Sequence, residues 1–311
     1  MKKIKAVVLG SINYDCVAKG PRLPKKGETV RGYAFNTFVG GKGANQAVQL
    51  ALLGADVTFI GRVGADDIGQ TLRKSLDGHG INTAYLTVDD TVSSGACSIN
   101  IDENGDNTLL YAPGANETLR KEDIDRAADT IRGADIFITQ NEINLDAAAY
   151  GLEKARQFGA VTLLNPAPAR PLDESVFPLL DYIVPNETET EAYCGFLPED
   201  ENTLARAADW FLQRGAGNVV ITLGENGVYY ANGSVSKRRG AYQVKAVDMT
   251  AAGDACIGGL SYIVGGGGDI DRALQYGNSC GALAVSKDGA QASLAGLREV
   301  EELIAANSKG E

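Results

Sequence analysis

Short apolar runs and longer stretches of helical spacing follow one another along most of this chain. A strand is predicted over 4–9. Ala44, Ala47, Val48, Ala51 and Leu52 then recur at the i, i+3, i+4, i+7, i+8 positions that bury one face of a helix. A strand over 57–63 and a helix over 68–76 come next. After Pro113 the alternation becomes regular: helix over 121–131, strand over 136–140, helix over 145–158, strands over 161–165 and 182–184, helix over 203–214, strand over 219–223. Strands alternating with helices predict an α/β fold whose mostly parallel sheet is covered on both faces.

Two stretches break that rhythm. Over 27–39, Thr29, Tyr33, Phe35 and Phe38 favour extended backbone. Over 95–101 and 108–111, two alternating runs flank the turn D-E-N-G-D and predict a hairpin, with Ala96, Ser98 and Asn100 on one face and Cys97, Ile99 and Ile101 on the other. The two stretches predict a small second sheet, inserted as segments of about 13–39 and 94–112 into a single domain of 1–311. A sheet with an unpaired edge and an apolar face suits a lid, a dimer interface, or both.

Composition narrows the functional classes. No apolar run approaches the ~20 residues that a membrane helix needs, and residues 1–5 lead straight into the first strand without the apolar core of a secretion signal, so a cytoplasmic protein is expected. The five cysteines, Cys16, Cys97, Cys194, Cys256 and Cys280, are scattered and lack C-x-x-C spacing, which argues for reduced thiols rather than disulfides or a zinc site. A net charge of −11 argues against a nucleic-acid partner. An anionic nucleotide would need local help from backbone donors, lysines and a divalent cation. The one histidine, His79, sits in a polar D-G-H-G turn, so an enzyme built on this chain needs a carboxylate as its base.

One stretch, V-D-M-T-A-A-G-D-A-C-I-G-G over 247–259, offers that carboxylate. Tyr242, Val244 and Ala246 alternate before it, and Ala255, Ile257, Leu260, Ile263 and Val264 follow helical spacing after it, so 250–254 falls at a helix start. Ala251, Ala252 and Gly253 are small enough for a phosphate to reach the free N–H groups of the first turn. Asp254 beside them suits phosphoryl transfer, as acceptor of the proton from an attacking hydroxyl. By itself the stretch reads more readily as a capped, closely packed helix than as a phosphate site, and the rest of the chain has to decide.

Other polar clusters gather at predicted strand ends, the rim where open α/β sheets bind ligands. G-S-I-N-Y-D places Asn13 and Asp15 just past the first strand, spaced to hold adjacent sugar hydroxyls or simply to shape a turn. G-G-K-G-A-N-Q-A over 40–47 brackets Lys42 with glycines ahead of a helix, without matching a P-loop. Glu142 in Q-N-E, then N-P-A-P-A-R, P-N-E-T-E and T-L-G-E-N-G, each follow a later strand. Asn186 with Glu187, Glu189 and Glu191 would hold Mg²⁺ directly or through water, or be an ordinary acidic helix start. The glycines of 265–268 read as a flexible loop between helices.

In order, G-G-K-G-A-N-Q-A, N-P-A-P-A-R, P-N-E-T-E, T-L-G-E-N-G, A-A-G-D and K-D-G-A-Q closely resemble the ribokinase-like carbohydrate kinase family, from Leu9 to about Leu297. The resemblance implies a Rossmann-like three-layer α/β/α sandwich with a β-sheet lid that clasps a second subunit in a homodimer. It implies transfer of the ATP γ-phosphoryl group to the 5-hydroxyl of D-ribose, with Asp254 as base and the backbone of Ala252, Gly253 and Asp254 as anion hole. It places the sugar against Asn13, Tyr14, Asp15, Gly41, Lys42, Gly43, Ala44, Asn45, Glu142 and Asp254. ATP falls near Asn186, Thr222, Leu223, Gly224, Glu225, Asn226, Gly227, Gly253, Asp254 and Asn278, with magnesium near Glu189 through water.

The same resemblance implies an activating potassium ion at Asp248, Thr250, Ala284, Lys287, Gly289 and Ser293, several of them through backbone carbonyls. Met249 stands where the family often has Thr, which bears on cation preference and leaves Asp254 untouched. Kinases for 2-deoxyribose, fructose or a keto-deoxy sugar acid are the alternatives within the enzyme class. A catalytically silent sugar-binding regulatory module is the alternative outside it.

Overall fold

The computed structural model describes residues 3–307. Its strands are β1 (Lys5–Leu9), β2 (Asn13–Lys19), β3 (Ala34–Gly40), β4 (Asp56–Gly64), β5 (Asn82–Asp89), β6 (Gly95–Ile101), β7 (Asn107–Ala112), β8 (Ile136–Gln140), β9 (Val161–Asn165), β10 (Tyr182–Ile183), β11 (Asn218–Thr222), β12 (Val228–Asn232) and β13 (Ser236–Arg239). Its helices are α1 (Lys42–Leu52), α2 (Asp67–Gly78), α3 (Lys121–Arg126), α4 (Ala128–Arg132), α5 (Leu145–Phe158), α6 (Glu187–Cys194), α7 (Glu201–Gln213), α8 (Ala252–Gly265), α9 (Ile270–Val285) and α10 (Leu297–Asn307).

Nine strands form one sheet in the order β13-β12-β11-β10-β9-β8-β1-β4-β5. It is parallel from β5 to β11, and β12 and β13 extend it antiparallel. The twofold alternation of strand side chains feeds two cores. Ala6 and Val8 of β1 join a cluster with α1, α2, α8 and α9, whereas Val7 and Leu9 join a second with α5 and α7. Helices therefore cover both faces, the three-layer sandwich that the pattern predicted.

The remaining four strands form a separate sheet, β3-β2-β6-β7, from segments 13–40 and 95–112. Tyr33, Phe35, Leu109 and Leu110 in this region are exposed. Asn116, fully buried at its base, accepts from Ile12 N at 3.0 Å and donates to Ile12 O at 3.2 Å and Asn13 Oδ1 at 2.8 Å. That clamp joins the small sheet to the end of β1.

Several sequence expectations change. Residues 27–33 are not a strand: Glu28 pairs with Arg22 and accepts from Lys25 N, which turns the chain before β3 begins. Asn13 and Asp15 lie on β2 itself, not in a loop. The helix over 121–131 divides at Ala127, where ψ reaches 7°, and both pieces still bury Ile124 and Ile131. The alternation at Tyr242, Val244 and Ala246 forms no strand. Its neighbourhood bonds to α9 instead: Asn278 Nδ2 donates to Gly240 O at 3.0 Å, and Val247 N to Val285 O at 2.8 Å. Strands β5, β12 and β13 had no counterpart in the sequence reading. Among the described residues no helix is long and apolar enough to cross a membrane.

Candidate active site

Helix α8 is buried along most of its length, and small residues let its neighbours close on it. A Cβ at Gly258 would fall 2.6 Å from Gln49 Cγ of α1, and one at Gly259 2.7 Å from the Tyr276 carbonyl of α9. Ala251, at φ 61°, is the one non-glycine residue with positive φ among the described residues, and it begins the helix with no capping side chain. Ala252 N donates to Met249 O at 3.3 Å. The N–H groups of Gly253 and Asp254 belong to the first turn and have no intrahelical acceptor, so these two are the donors that an anion at this helix start could reach.

Asp254 is 8% exposed. It accepts from Asn45 Nδ2 at 2.9 Å and Gln46 Nε2 at 3.0 Å, both on α1. Burial pushes its pKa above the ordinary carboxylate value; Lys42, Asn45 and Gln46 oppose that rise and Glu142 adds to it.

The start of α1 is shaped by close backbone approach. A Cβ at Gly43 would lie 2.7 Å from Gly10 Cα and 2.7 Å from Ser11 N. That packing brings three donors onto one carboxylate: Glu142 Oε2 accepts from Ser11 Oγ at 2.6 Å, Lys42 N at 3.2 Å and Asn13 Nδ2 at 3.4 Å. Asp15 lies close by, its pKa pushed up to about 6 by burial and then by the charge of Glu142. Asn45 Oδ1 is buried with no partner, an acceptor suited to a ligand hydroxyl. Burial disfavours the Lys42 ammonium, yet Asp254, Glu142 and Glu189 outweigh it and hold the pKa above the ordinary lysine value.

A cavity of about 240 Å³ opens beside Lys42 and Asp254. Lys42, Asn165, Asn186, Glu189, Thr222, Met249, Ala251, Gly253 and Asp254 line it. Asn186 caps α6, its Oδ1 accepting from Glu189 N at 2.7 Å, while Glu189 returns to accept from Asn186 N at 2.9 Å. The acidic trio is thus divided: Glu189 turns into the cavity and Glu191 is exposed. Among the described residues no group of three or more His, Cys, Asp or Glu could hold a metal by itself.

Beyond Thr222, Gly224 at φ 52° and Gly227 at φ 87° make a tight turn in which Leu223 N donates to Gly227 O at 2.8 Å. The turn buries Leu223 and leaves Glu225 and Asn226 exposed, so only the latter two present side chains to a ligand. Asn278 pins the coil before Asp248. Asp248 accepts from Thr250 N at 2.9 Å, Thr250 Oγ1 at 2.7 Å and Gly289 N at 3.0 Å, closing a loop below the start of α8. Ser293 Oγ donates to Ala290 O at 2.8 Å, Lys287 N donates to the Ala284 carbonyl at 3.1 Å, and Lys287 Nζ pairs with Glu299 at 2.6 Å.

Of the predicted sugar contacts, Asn13, Asp15, Lys42, Asn45, Glu142 and Asp254 converge. Tyr14 does not join them: strand alternation turns it away from Asn13 and Asp15, and it packs against the core. Ala44 is fully buried and Gly43 packs on Gly10, so these two and Gly41 shape the loop through backbone. Sequence reasoning assigned no role to Ser11, Gln46, Asn116, Gln140 or Asn165. For Gln46 the apolar pattern gave no signal, because it lies on the side of α1 opposite Ala44, Ala47, Val48 and Ala51, and α1 is buried nearly all round.

A carboxylate at an uncapped helix N-terminus, beside a half-buried lysine and a polar pocket, at the strand ends of an α/β sandwich, defines a phosphotransferase for small hydroxylated molecules. Residues 3–295 match the pfkB family carbohydrate kinase, and the chain belongs to this family. It is 38% identical to a ribokinase of Staphylococcus aureus over 301 residues, covering 96% of this chain and 99% of that protein. A deoxyribokinase of Salmonella typhi is 35% identical, covering 96% of this chain and 98% of that protein. The ribokinase of Arabidopsis thaliana, solved with ribose and ATP, superposes with a TM-score of 0.91 at 26% identity, covering 97% of this chain and 99% of that one.

Proposed function

We propose that this enzyme transfers the γ-phosphoryl group of ATP to the 5-hydroxyl of D-ribose, giving D-ribose 5-phosphate and ADP. The observation that carries this reading is the single cavity in which Asp254, the Lys42 side chain and the free N–H groups of α8 meet. Asn13, Asp15, Asn45 and Glu142 form a pocket of donors and acceptors matched to a small polyol, and such a site rejects analogues that lack a hydroxyl. Asp254 takes the proton from the 5-hydroxyl as the oxygen attacks phosphorus. Gly253 and Asp254 N–H and Lys42 bind the phosphoryl oxygens as the bond to ADP breaks.

Asn186, Thr222, Gly224, Glu225, Asn226 and Asn278 border the nucleotide. Glu189 would hold magnesium through water, and the ion would supply neutralisation of charge on the phosphates. Asp248, Thr250 and the carbonyls of Ala284, Lys287 and Gly289, near Ser293, would hold potassium, which would fix the loop leading into α8. Segments 13–39 and 94–112 act as the lid. Exposed Tyr33, Phe35, Leu109 and Leu110 and the unpaired edges of β3 and β7 carry a homodimer contact; a solution mass of one chain would remove this part. Use of ATP and five cysteines without disulfides fit a cytoplasmic protein.

The deoxyribokinase relative keeps 2-deoxyribose as the second reading. Coupled ADP release with Mg-ATP and potassium, across ribose, 2-deoxyribose, fructose and adenosine, decides. The expected result is fastest turnover on ribose. A preference for 2-deoxyribose moves the substrate and keeps the mechanism, while ribose binding without ADP release on any sugar sinks the kinase reading. Replacing potassium by sodium at equal ionic strength is expected to slow ribose turnover, and equal rates would remove the cation site.

A further inference from the structure

One oxygen of Asp254 is held by a chain of buried amides that takes no direct part in phosphoryl transfer. Gln46 Nε2 donates to Asp254 Oδ1 at 3.0 Å and to Asn165 Oδ1 at 3.2 Å. Gln46 Oε1 accepts from Gln140 Nε2 at 2.7 Å, and Asn165 Nδ2 donates to Val184 O at 2.9 Å. Gln46 and Gln140 are fully buried and Asn165 nearly so. Gln140 ends β8 and Asn165 ends β9, paired side by side in register, so the sheet itself spaces the two amides.

The direction of each amide is dictated by charge. An ionised carboxylate only accepts, so Gln46 must face Asp254 with its NH₂ group, and its carbonyl is then left toward Gln140. Turning Gln46 over would set oxygen against oxygen at both Asp254 and Asn165. Gln140 Oε1 has no partner, an unfavourable state for a buried carbonyl, and the one side-chain bond of Gln140 among the described residues is to Gln46. That arrangement does nothing for the sheet and orients Gln46.

We propose that Gln46, locked by Gln140 and Asn165, is a positioning residue that aims Asp254 at the acceptor hydroxyl and favours its ionised form. The proposal rests on the reading of Asp254 as the base. The charged groups facing Asp254 are Lys42 from α1, Glu142 from the loop after β8 and Glu189 from α6. Burial and Glu142 favour the protonated acid, while Lys42, Asn45 and Gln46 favour the ion. Loss of the Gln46 donor therefore raises the proton affinity of Asp254, and because the base must be ionised, activity fails at a higher pH.

The test is the pH profile of kcat at saturating ribose for the wild type, Gln46→Leu and Gln140→Leu. Asp15, titrating near 6 in the free enzyme, affects sugar binding and so appears in KM rather than in this limb. The acid limb is expected to move up by about one pH unit in Gln46→Leu, a tenfold lower rate below it. A smaller shift in the same direction is expected in Gln140→Leu, which touches neither substrate nor base and carries the test if Gln46→Leu does not fold. An unmoved acid limb in a folded variant, whatever its rate, overturns the proposal. Asp254→Asn measured alongside separates the two readings: an active Asp254→Asn defeats the base assignment, whereas an inactive one with unmoved limbs defeats only the role of Gln46.

Discussion

Asp254→Asn is expected to lower turnover on ribose by about 10³-fold, the scale of losing a general base. Nucleotide binding should change little, because the Gly253 and Asp254 backbone donors and Lys42 remain. The amide cannot repeat the hydrogen bonding of the acid. Asn45 and Gln46 both donate to the carboxylate, and an asparagine would present its own NH₂ to one of them. Some loss of stability should therefore accompany the loss of rate, and thermal unfolding beside single-turnover kinetics separates the two. Turnover within tenfold of the wild type would remove Asp254 from the chemistry.

Gly43→Ala is expected to damage both fold and activity. The new methyl would meet Gly10 Cα and Ser11 N at 2.7 Å, and these are backbone atoms of neighbouring chain that cannot swing away. Overpacking of this kind costs about 2 to 3 kcal/mol, and relief requires α1 to move from the end of β1. That movement would pull Lys42 away from Glu142 and Asn45 away from Asp254. A denaturant midpoint should fall and kcat/KM should fall with it. Gly78→Ala is the matched control: no atom lies within 4 Å of the added Cβ, so stability should stay within about 0.5 kcal/mol. Equal stability for the two variants would show that contact at Gly43 does not hold the loop.

The sandwich was legible because strand and helix leave different apolar periods, and those periods survive wherever an element buries one face against a continuous sheet. The elements that sequence missed lie at the margins. Strands β12 and β13 carry Tyr230, Asn232 and Lys237, whose side chains join polar bonds or ion pairs and blur the alternation. The opposite error occurred at Tyr242, Val244 and Ala246, which alternate but whose neighbourhood bonds to α9 rather than to a strand.

Within the site, the motifs around Lys42, Glu142, Asn186 and Asp254 announced themselves, since small residues and isolated charges at strand ends are unusual in a packed core. The linear chain also pointed to a carboxylate as the expected base, because its one histidine lies in a polar turn. What only the tertiary structure decided is which groups share that base. Asn45 and Gln46 reach Asp254 across 209 and 208 residues of sequence, and Gln140 orients Gln46 across 94. Those contacts depend on how closely α8 and the end of β1 settle against α1, and those approaches are set by the missing side chains of Gly258 on one side and of Gly10 and Gly43 on the other. A pattern of apolar and polar positions records which face of an element is buried, but not how near two backbones come.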